Sequence, residues 1–419
     1  MALEREIQVE HRVAGGDGFA RLRDGRAAFI PGAVPGDKIT PKSFEDKRDY
    51  VRIPTWDLVE ASPDRVTPAC RYFGSCGGCD WMSQRLTAQL RSKVLILRET
   101  LQRVAKISEM PEIETVASEG LGYRRRTRLH VDAYGKVGFH GPRSHELVVV
   151  EECLISTHEI SDTIGLLSAL SRSQRSALTC LEGIEIRHAP GAVPCLVLLA
   201  KRRQSSARAF KVLTAAGFQV AVEDGAEPER WPLDGGLFLQ AAANSFTQIN
   251  WGVNVELVRA ILAGAESRAC QQFIDLYCGI GNFALPLAAA GLTGVGVEQN
   301  SEAVRLAAAA ADEQDLDSLK FASTSVERWL SDRDMASSAA PSTADLVIAD
   351  PPRRGLKEVA SAVAKLASRY LCLCSCDPVS LGRDLRVILD EGFELQQIVL
   401  FDMFPHTHHA ETLVWLARS

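Results

Sequence analysis

No apolar run in this chain of 419 residues approaches the roughly 20 residues that a membrane-spanning helix needs. Its start, MALEREIQVEHR, is charged where a secretory leader would need an apolar stretch. A cytoplasmic location with no membrane partner is expected. A disulfide framework is also missing, because eleven cysteines, an odd number at irregular spacings, fit a reducing compartment and point to metal or catalytic roles. Positive charge is not in excess. The formal net charge of −6 counts against a protein that coats nucleic acid without selectivity, yet leaves room for a local basic groove. YRRRTR at 123–128, RSKVLILRETLQRVAK at 91–106 and KRRQSSARAFK at 201–211 are the candidates, and each alone reads first as a solvated face. Internal repeats are absent, and the length suggests two or three domains.

Residues 1–58 alternate apolar and polar positions between closely spaced turn signals: Gly15-Gly16-Asp17-Gly18, Asp24-Gly25, Pro31-Gly32 and Pro35-Gly36. Turns at such intervals predict a small antiparallel β-barrel. A boundary near EASPDRVTPAC is followed by a cysteine-bearing segment, a helical stretch from about 83 to 106, and mixed strands and helices to about 235. From 236 onward the pattern changes. The amphipathic stretch NWGVNVELVRAILAGA leads to strands CQQFIDLYCG, LTGVGVE, ADLVIAD and YLCLCSC, alternating with helical runs such as 300–312. That alternation predicts a doubly wound α/β domain. SDRDMASSAAPSTAD at 331–345 is expected to be an exposed loop.

Three motifs in that last region bear chemistry. The strand containing Asp275 turns through Gly279 and Gly281 into a helix, and Glu298 ends the next strand. Such a turn exposes backbone N–H groups to a ligand, while a carboxylate at the second strand's end can accept ribose hydroxyl bonds. The third glycine of the dinucleotide fingerprint is replaced by Ala284, and the turn alone is also compatible with a ligand-free loop. Asp350-Pro351-Pro352 places a carboxylate at the carboxyl edge of the sheet, where open α/β folds bind ligands. An aromatic residue after it would resemble enzymes that methylate amino groups of adenine or cytosine, but Arg353 stands there. In LCLCSC, strand alternation puts Cys372, Cys374 and Cys376 on one face. The first two read as small buried hydrophobes, whereas Cys376 stands where the apolar run stops.

Elsewhere, Cys70, Cys76 and Cys79 have C-x5-C-x2-C spacing, and Cys153 is the only further cysteine before 180. Four thiolates can hold tetrahedral zinc or an iron-sulfur cluster, and spacing does not choose between them. The C-x3-C-x2-C arrangement of radical enzymes is absent.

Together with GFARLRDGRAAFIPGAVPGD, CRYFGSCGGCDW, SFTQIN, SCDPVSLGRDL and DMFPHTHHAE, in that order, these motifs make nearly the whole chain resemble the S-adenosylmethionine-dependent RNA uracil-C5 methyltransferases. The branch it is most similar to acts on 23S rRNA. The resemblance implies an OB-like TRAM β-barrel over 1–58, a central α+β iron-sulfur domain over 59–235, and a Rossmann-like class I methyltransferase domain over 236–419. It implies S-adenosylmethionine contacts from Gln248, Tyr277, Asn282, Glu298 and Asp350, with Ser325 where the family has Asn. It further implies Cys376 as nucleophile, Glu411 as base, and a 4Fe-4S cluster on Cys70, Cys76, Cys79 and Cys153. Asp377 replaces the usual Asn after the nucleophile.

The implied partner is RNA, 23S rRNA above all, bound by a monomer with no obligate protein partner. A cytosine-C5 enzyme would carry a second cysteine after its Asp-Pro-Pro, so Arg353 favours uracil. The same chemistry on a tRNA uridine is the alternative. A noncatalytic RNA-binding assembly factor should lack nucleophile or base, and both are present. A base inside folded RNA cannot reach Cys376, so the target must be extruded or single-stranded. The barrel, Arg124, Arg125, Arg126, Arg128 and Phe246 are the expected readers.

Overall fold

Six short strands open the chain and form one sheet in the order Ile7–Gln8, Lys38–Asp46, Tyr50–Glu60, Ala27–Ile30, Gly18–Arg21, His11–Arg12. The computed structural model describes residues 4–201, 206–222, 228–335 and 343–419. Alternation of apolar positions buries Ile7, Val9, Ala28, Ile30, Ile39, Val51 and Ile53 in a common core. The antiparallel expectation holds except for Ala27–Ile30, which pairs in parallel with Tyr50–Glu60. A buried carboxylate closes the sheet's end. Asp37 accepts the amides of Val34 and Ser62 and the guanidinium of Arg65, so the charge is both paired and hydrogen-bonded.

Two units emerge from the contacts, Met1–Glu99 with Phe139–Val148 and Phe404–His409, and Thr100–Gly138 with Val149–Met403 and Ala410–Ser419. In the first unit the helical stretch begins at Leu86. It continues past Thr100 as a π-helical turn, Leu101–Ala105, which Lys106 ends in the left-handed region at φ 61°. The basic run at 91–106 is not one solvated face. Arg91 pairs with Asp64, and Lys93 is buried.

The second unit contains an eight-stranded sheet in the order Leu319–Ser323, Thr293–Glu298, Gln272–Leu276, Ala344–Ala349, Ala367–Ser375, Glu411–Arg418, Phe393–Phe401, Ile113–Val116. The first five strands run parallel, and Glu411–Arg418 is antiparallel to both neighbours. The strands and helices expected from the sequence are found at Trp251–Ser267, Gln272–Leu276, Thr293–Glu298, Ser301–Glu313, Ala344–Ala349 and Ala367–Ser375. Both faces of the central strands are buried, with Leu371, Cys372, Leu373 and Cys374 all at 2% exposure or less. Helices on both sides of a parallel sheet produce such continuous apolar runs in place of alternation.

Both ends of the loop expected over 331–345 are regular structure. The helix Val326–Met335 takes its first five residues, Ala344 begins a strand, and 336–342 lie outside the described residues. Residues 202–205 of the basic run at 201–211 also lie outside them. Among the described residues no helix is long and apolar enough to cross a membrane.

Candidate active site

The turn after Gln272–Leu276 is built by backbone conformations that few residues adopt. Tyr277 has φ 63°, followed by Gly279 at 54° and Gly281 at 89°. A non-glycine residue held there is strained, and such residues gather at functional sites. Glu298 stabilises the turn from the neighbouring strand, taking the amide of Gly279 on one carboxylate oxygen at 3.3 Å and that of Asn300 on the other at 2.8 Å. Asn282 is fixed by a reciprocal amide pair with Asn254 of the helix Trp251–Ser267, two bonds of 2.9 Å. Asn254 is fully buried, and nothing in the motifs singled it out.

Gln248, Tyr277, Asn282 and Asp350 line one cleft together with Phe246, Thr247, Trp251, Gly279 and Phe283. It holds about 420 Å³ of empty space, part of it open to solvent. One feature suits a polar ligand: the Thr247 hydroxyl, on the lining of the cleft, is buried without a partner. Asp275 is fully buried at the base of the turn. Burial, then the charge of Asp350, pushes the Asp275 carboxyl well above its ordinary value. Ser325 does not line the cleft. It instead caps the helix Val326–Met335, its hydroxyl accepting the Arg328 amide at 3.2 Å.

At the carboxyl edge of the same sheet, Ser375 pairs with Thr412. Cys376 directly follows Ser375 past the strand's end, Glu411 directly precedes Thr412, and the Glu411 charge acts on the Cys376 thiol. Cys376 is half-buried, while Cys372 and Cys374 are sealed in the strand. Burial pushes the Cys376 thiol up to about 11. Glu411 and Asp350 add to that rise, and Arg353 opposes it. Glu411 is 4% exposed and one of its oxygens has no partner. Burial, with Asp350 next, raises its carboxyl well above the usual range, against the pull of Arg353. The Asp350 carboxyl is pushed up to about 6 by burial. The arrangement combines a thiol, an orphaned carboxyl, and a cation that favours the anionic form of each.

The Asp-Pro-Pro loop that places Arg353 is itself held by a residue the sequence reading passed over. Asp384 takes the amides of Leu356 and Lys357 at 2.7 and 3.2 Å. A side chain at Gly355, φ 74°, would meet that carboxylate at 2.4 Å.

A family model described as tRNA (Uracil-5-)-methyltransferase matches residues 229–419. The 23S rRNA (uracil(1939)-C(5))-methyltransferase RlmD of Shewanella amazonensis is 32% identical over an alignment covering 94% of this chain and 91% of that protein. Its counterpart in Shewanella halifaxensis is 31% identical, with 97% and 93% covered. The chain belongs to the RNA uracil-C5 methyltransferase family. The solved tRNA (uracil-54, C5)-methyltransferase of Pyrococcus abyssi, in complex with S-adenosyl-L-homocysteine, shares the fold. Its TM-score is 0.74 and its identity 24%, covering 98% of this chain and 100% of that one.

Both departures from the family pattern fall on helix caps. Asp377 is the N-cap of Pro378–Asp390 and accepts the Ser380 amide at 2.7 Å. Asp and Ser are both strong caps, so each residue has a structural use in this chain.

The expected cluster thiols occupy two units, Cys70, Cys76 and Cys79 in the first and Cys153 in the second. All four are half-buried, unlike the core cysteines 195, 270, 278, 372 and 374, and none forms a disulfide. Cys76 and Cys79 flank a tight turn in which the Gly78 amide donates to the Cys76 sulfur at 3.4 Å. The donor chemistry suits a soft metal site. Among the described residues no three His, Cys, Asp or Glu side chains are gathered to hold a metal ion.

The four arginines are partly committed. Arg124 donates to the Arg126 carbonyl, Arg125 faces His188, and Arg126 lies 4.0 Å from Glu185 and 5.1 Å over the ring of Phe246. Arg128 is exposed, as is Phe246 at the cleft.

Proposed function

We propose that this protein methylates C5 of a uridine in 23S rRNA, with Cys376 as nucleophile and Glu411 as the base that takes the C5 proton. The observation that carries this reading is a half-buried thiol and a buried carboxyl with one unpartnered oxygen placed at the same end of the Ser375–Thr412 ladder, at the edge of the sheet that forms the ligand cleft.

Uracil C5 is a weak nucleophile. Addition of the Cys376 thiolate to C6 opens the C5–C6 double bond and leaves an enolate whose C5 is nucleophilic, so one difficult step becomes two easier ones. S-adenosylmethionine, when bound, supplies an electrophilic methyl group. Gln248, Tyr277, Asn282 and Asp350 would hold it in the cleft, with Glu298 fixing the turn. Glu411 then takes the proton from C5, the C6–S bond breaks, and the thiolate departs. A carboxylate in a dry site, with its proton affinity raised by burial, suits that task. Arg353 favours ionisation of the thiol.

The N-terminal sheet supports a TRAM-like reading over 1–58, with the central region as 59–235 and the methyltransferase domain as 236–419. Cys70, Cys76, Cys79 and Cys153 are the proposed ligands of a 4Fe-4S cluster, a structural role that needs no redox change. Mass spectrometry of digested ribosomal and transfer RNA from cells with and without the gene tests the substrate. Loss of a 5-methyluridine from 23S rRNA is expected. Its loss from tRNA alone would move the activity to the substrate named for the Pyrococcus protein, and no loss from either RNA would reject the proposal.

A further inference from the structure

Glu411 begins the last strand, and the chain reaches it from Phe401 through a loop whose middle, Phe404–His409, belongs to the first unit. That middle is held there through backbone and side chains together. The amides of Asp80 and Trp81 both donate to the His406 carbonyl, at 3.0 and 2.9 Å. Gln89, fully buried, accepts the His406 amide at 2.8 Å and lies 3.1 Å from its ring Nδ1. The same Gln89 amide donates to the carbonyls of Trp81 and Gln84. The Lys93 ammonium donates to the Phe404 carbonyl at 3.0 Å, and His408 Nδ1 donates to Asp80 at 2.6 Å. Asp80 directly follows Cys79, so the cysteine-bearing segment and the loop before Glu411 are fastened to each other.

We propose that Asp80, Gln89 and His408 are positioning residues for Glu411, and that the cysteine-bearing segment thereby governs proton removal without governing thiolate attack. The inference rests on the reading of Glu411 as base. Only His409 and Ala410 separate His408 from Glu411, too short a tether to absorb a shift of the loop. Cys376 lies between the strand Ala367–Ser375 and the helix capped by Asp377, and that strand's ladder with the last strand ends at Thr412, whereas Glu411 pairs with Phe401 at the start of the loop. A displacement on the order of 1 Å can cost about 100-fold in a positioned step. Such a loss would fall on one half of the reaction.

Two RNA substrates separate the halves. On 5-fluorouridine RNA the enzyme attacks and methylates but has no proton to remove, so trapping reports Cys376 alone. On uridine RNA, turnover also requires Glu411. For His408→Ala and Asp80→Asn in full-length, anaerobically purified protein, we expect turnover to fall about tenfold or more. The methylated covalent complex should accumulate while trapping proceeds at the wild-type rate. His408→Asn, which puts an amide donor where Nδ1 stands, should recover turnover. Trapping and turnover that fall together would overturn the proposal, because the pair would then merely support the fold. Unchanged turnover would overturn it as well. Failure of the wild-type protein to trap 5-fluorouridine RNA would instead reject the reading of the site itself.

Discussion

Cys376 and Glu411 stand at the same end of two adjacent antiparallel strands, one directly after Ser375 and the other directly before its partner Thr412, close enough for the Glu411 charge to raise the Cys376 thiol. A thiol and a carboxyl so placed can act in succession on neighbouring carbons of one ring. Their separate roles lead to separable defects.

Glu411→Gln removes the proton acceptor while keeping the shape of the side chain. Attack and methyl transfer should proceed, and the reaction should halt with methylated RNA still bonded to Cys376. Denaturing gels and intact mass report that complex. Multiple turnover at the wild-type rate would take Glu411 out of the mechanism.

The Cys376 thiol, raised to about 11, rests protonated at neutral pH. Trapping of 5-fluorouridine RNA under single-turnover conditions should therefore accelerate with rising pH, by about tenfold per unit while the thiolate is the minor form. Arg353 lowers that value. Arg353→Gln should accordingly move the profile to higher pH and slow trapping at pH 7. A profile that stays flat from pH 6 to 9 would show that ionisation of this thiol does not limit attack.

Much of the site was legible in the sequence because its chemistry lies in contiguous motifs: a glycine turn after Asp275, an Asp-Pro-Pro exit, and a cysteine where an apolar strand stops. What was hidden depends on partners far apart in the chain. Asn254 and Asn282 are 28 residues apart, as are Leu356 and Asp384, and Gln89 and His406 are separated by 317. A helical Asn or Asp looks like any polar position until the fold supplies its partner. The alternation of LCLCSC sorts side chains by face and says nothing of burial. A central strand covered on both faces buries Leu371 and Leu373 as fully as Cys372 and Cys374, so only the strand's end marks Cys376 out.

Asn254 supports Asn282, a proposed cofactor contact, from behind. Asn254→Ala leaves the half-buried Asn282 amide without its two bonds, at a cost of about 1–2 kcal/mol. S-adenosylmethionine binding, followed by calorimetry, should weaken roughly 5- to 30-fold. Trapping at saturating S-adenosylmethionine should change little. Unaltered affinity would show that Asn282 needs no such support.

If Cys70, Cys76, Cys79 and Cys153 are the ligand set, anaerobically purified protein should be brown, with broad visible absorbance and about four irons per chain. Cys153→Ser should bleach that absorbance. Stoichiometric zinc without iron would replace the cluster by a zinc site on the same thiols.

The central claim is that Cys376, and neither Cys372 nor Cys374, attacks the ring. Peptide mapping of the adduct trapped on 5-fluorouridine RNA tests it most directly. The account predicts that the modified nucleotide is on Cys376, that the adduct requires S-adenosylmethionine, and that Cys376→Ala abolishes both adduct and turnover. Cys372→Ala and Cys374→Ala, whose thiols burial holds well above their ordinary values, should keep the adduct and lose only packing, on the order of 1 kcal/mol each. An adduct on another thiol, or one that forms in Cys376→Ala, would contradict the account.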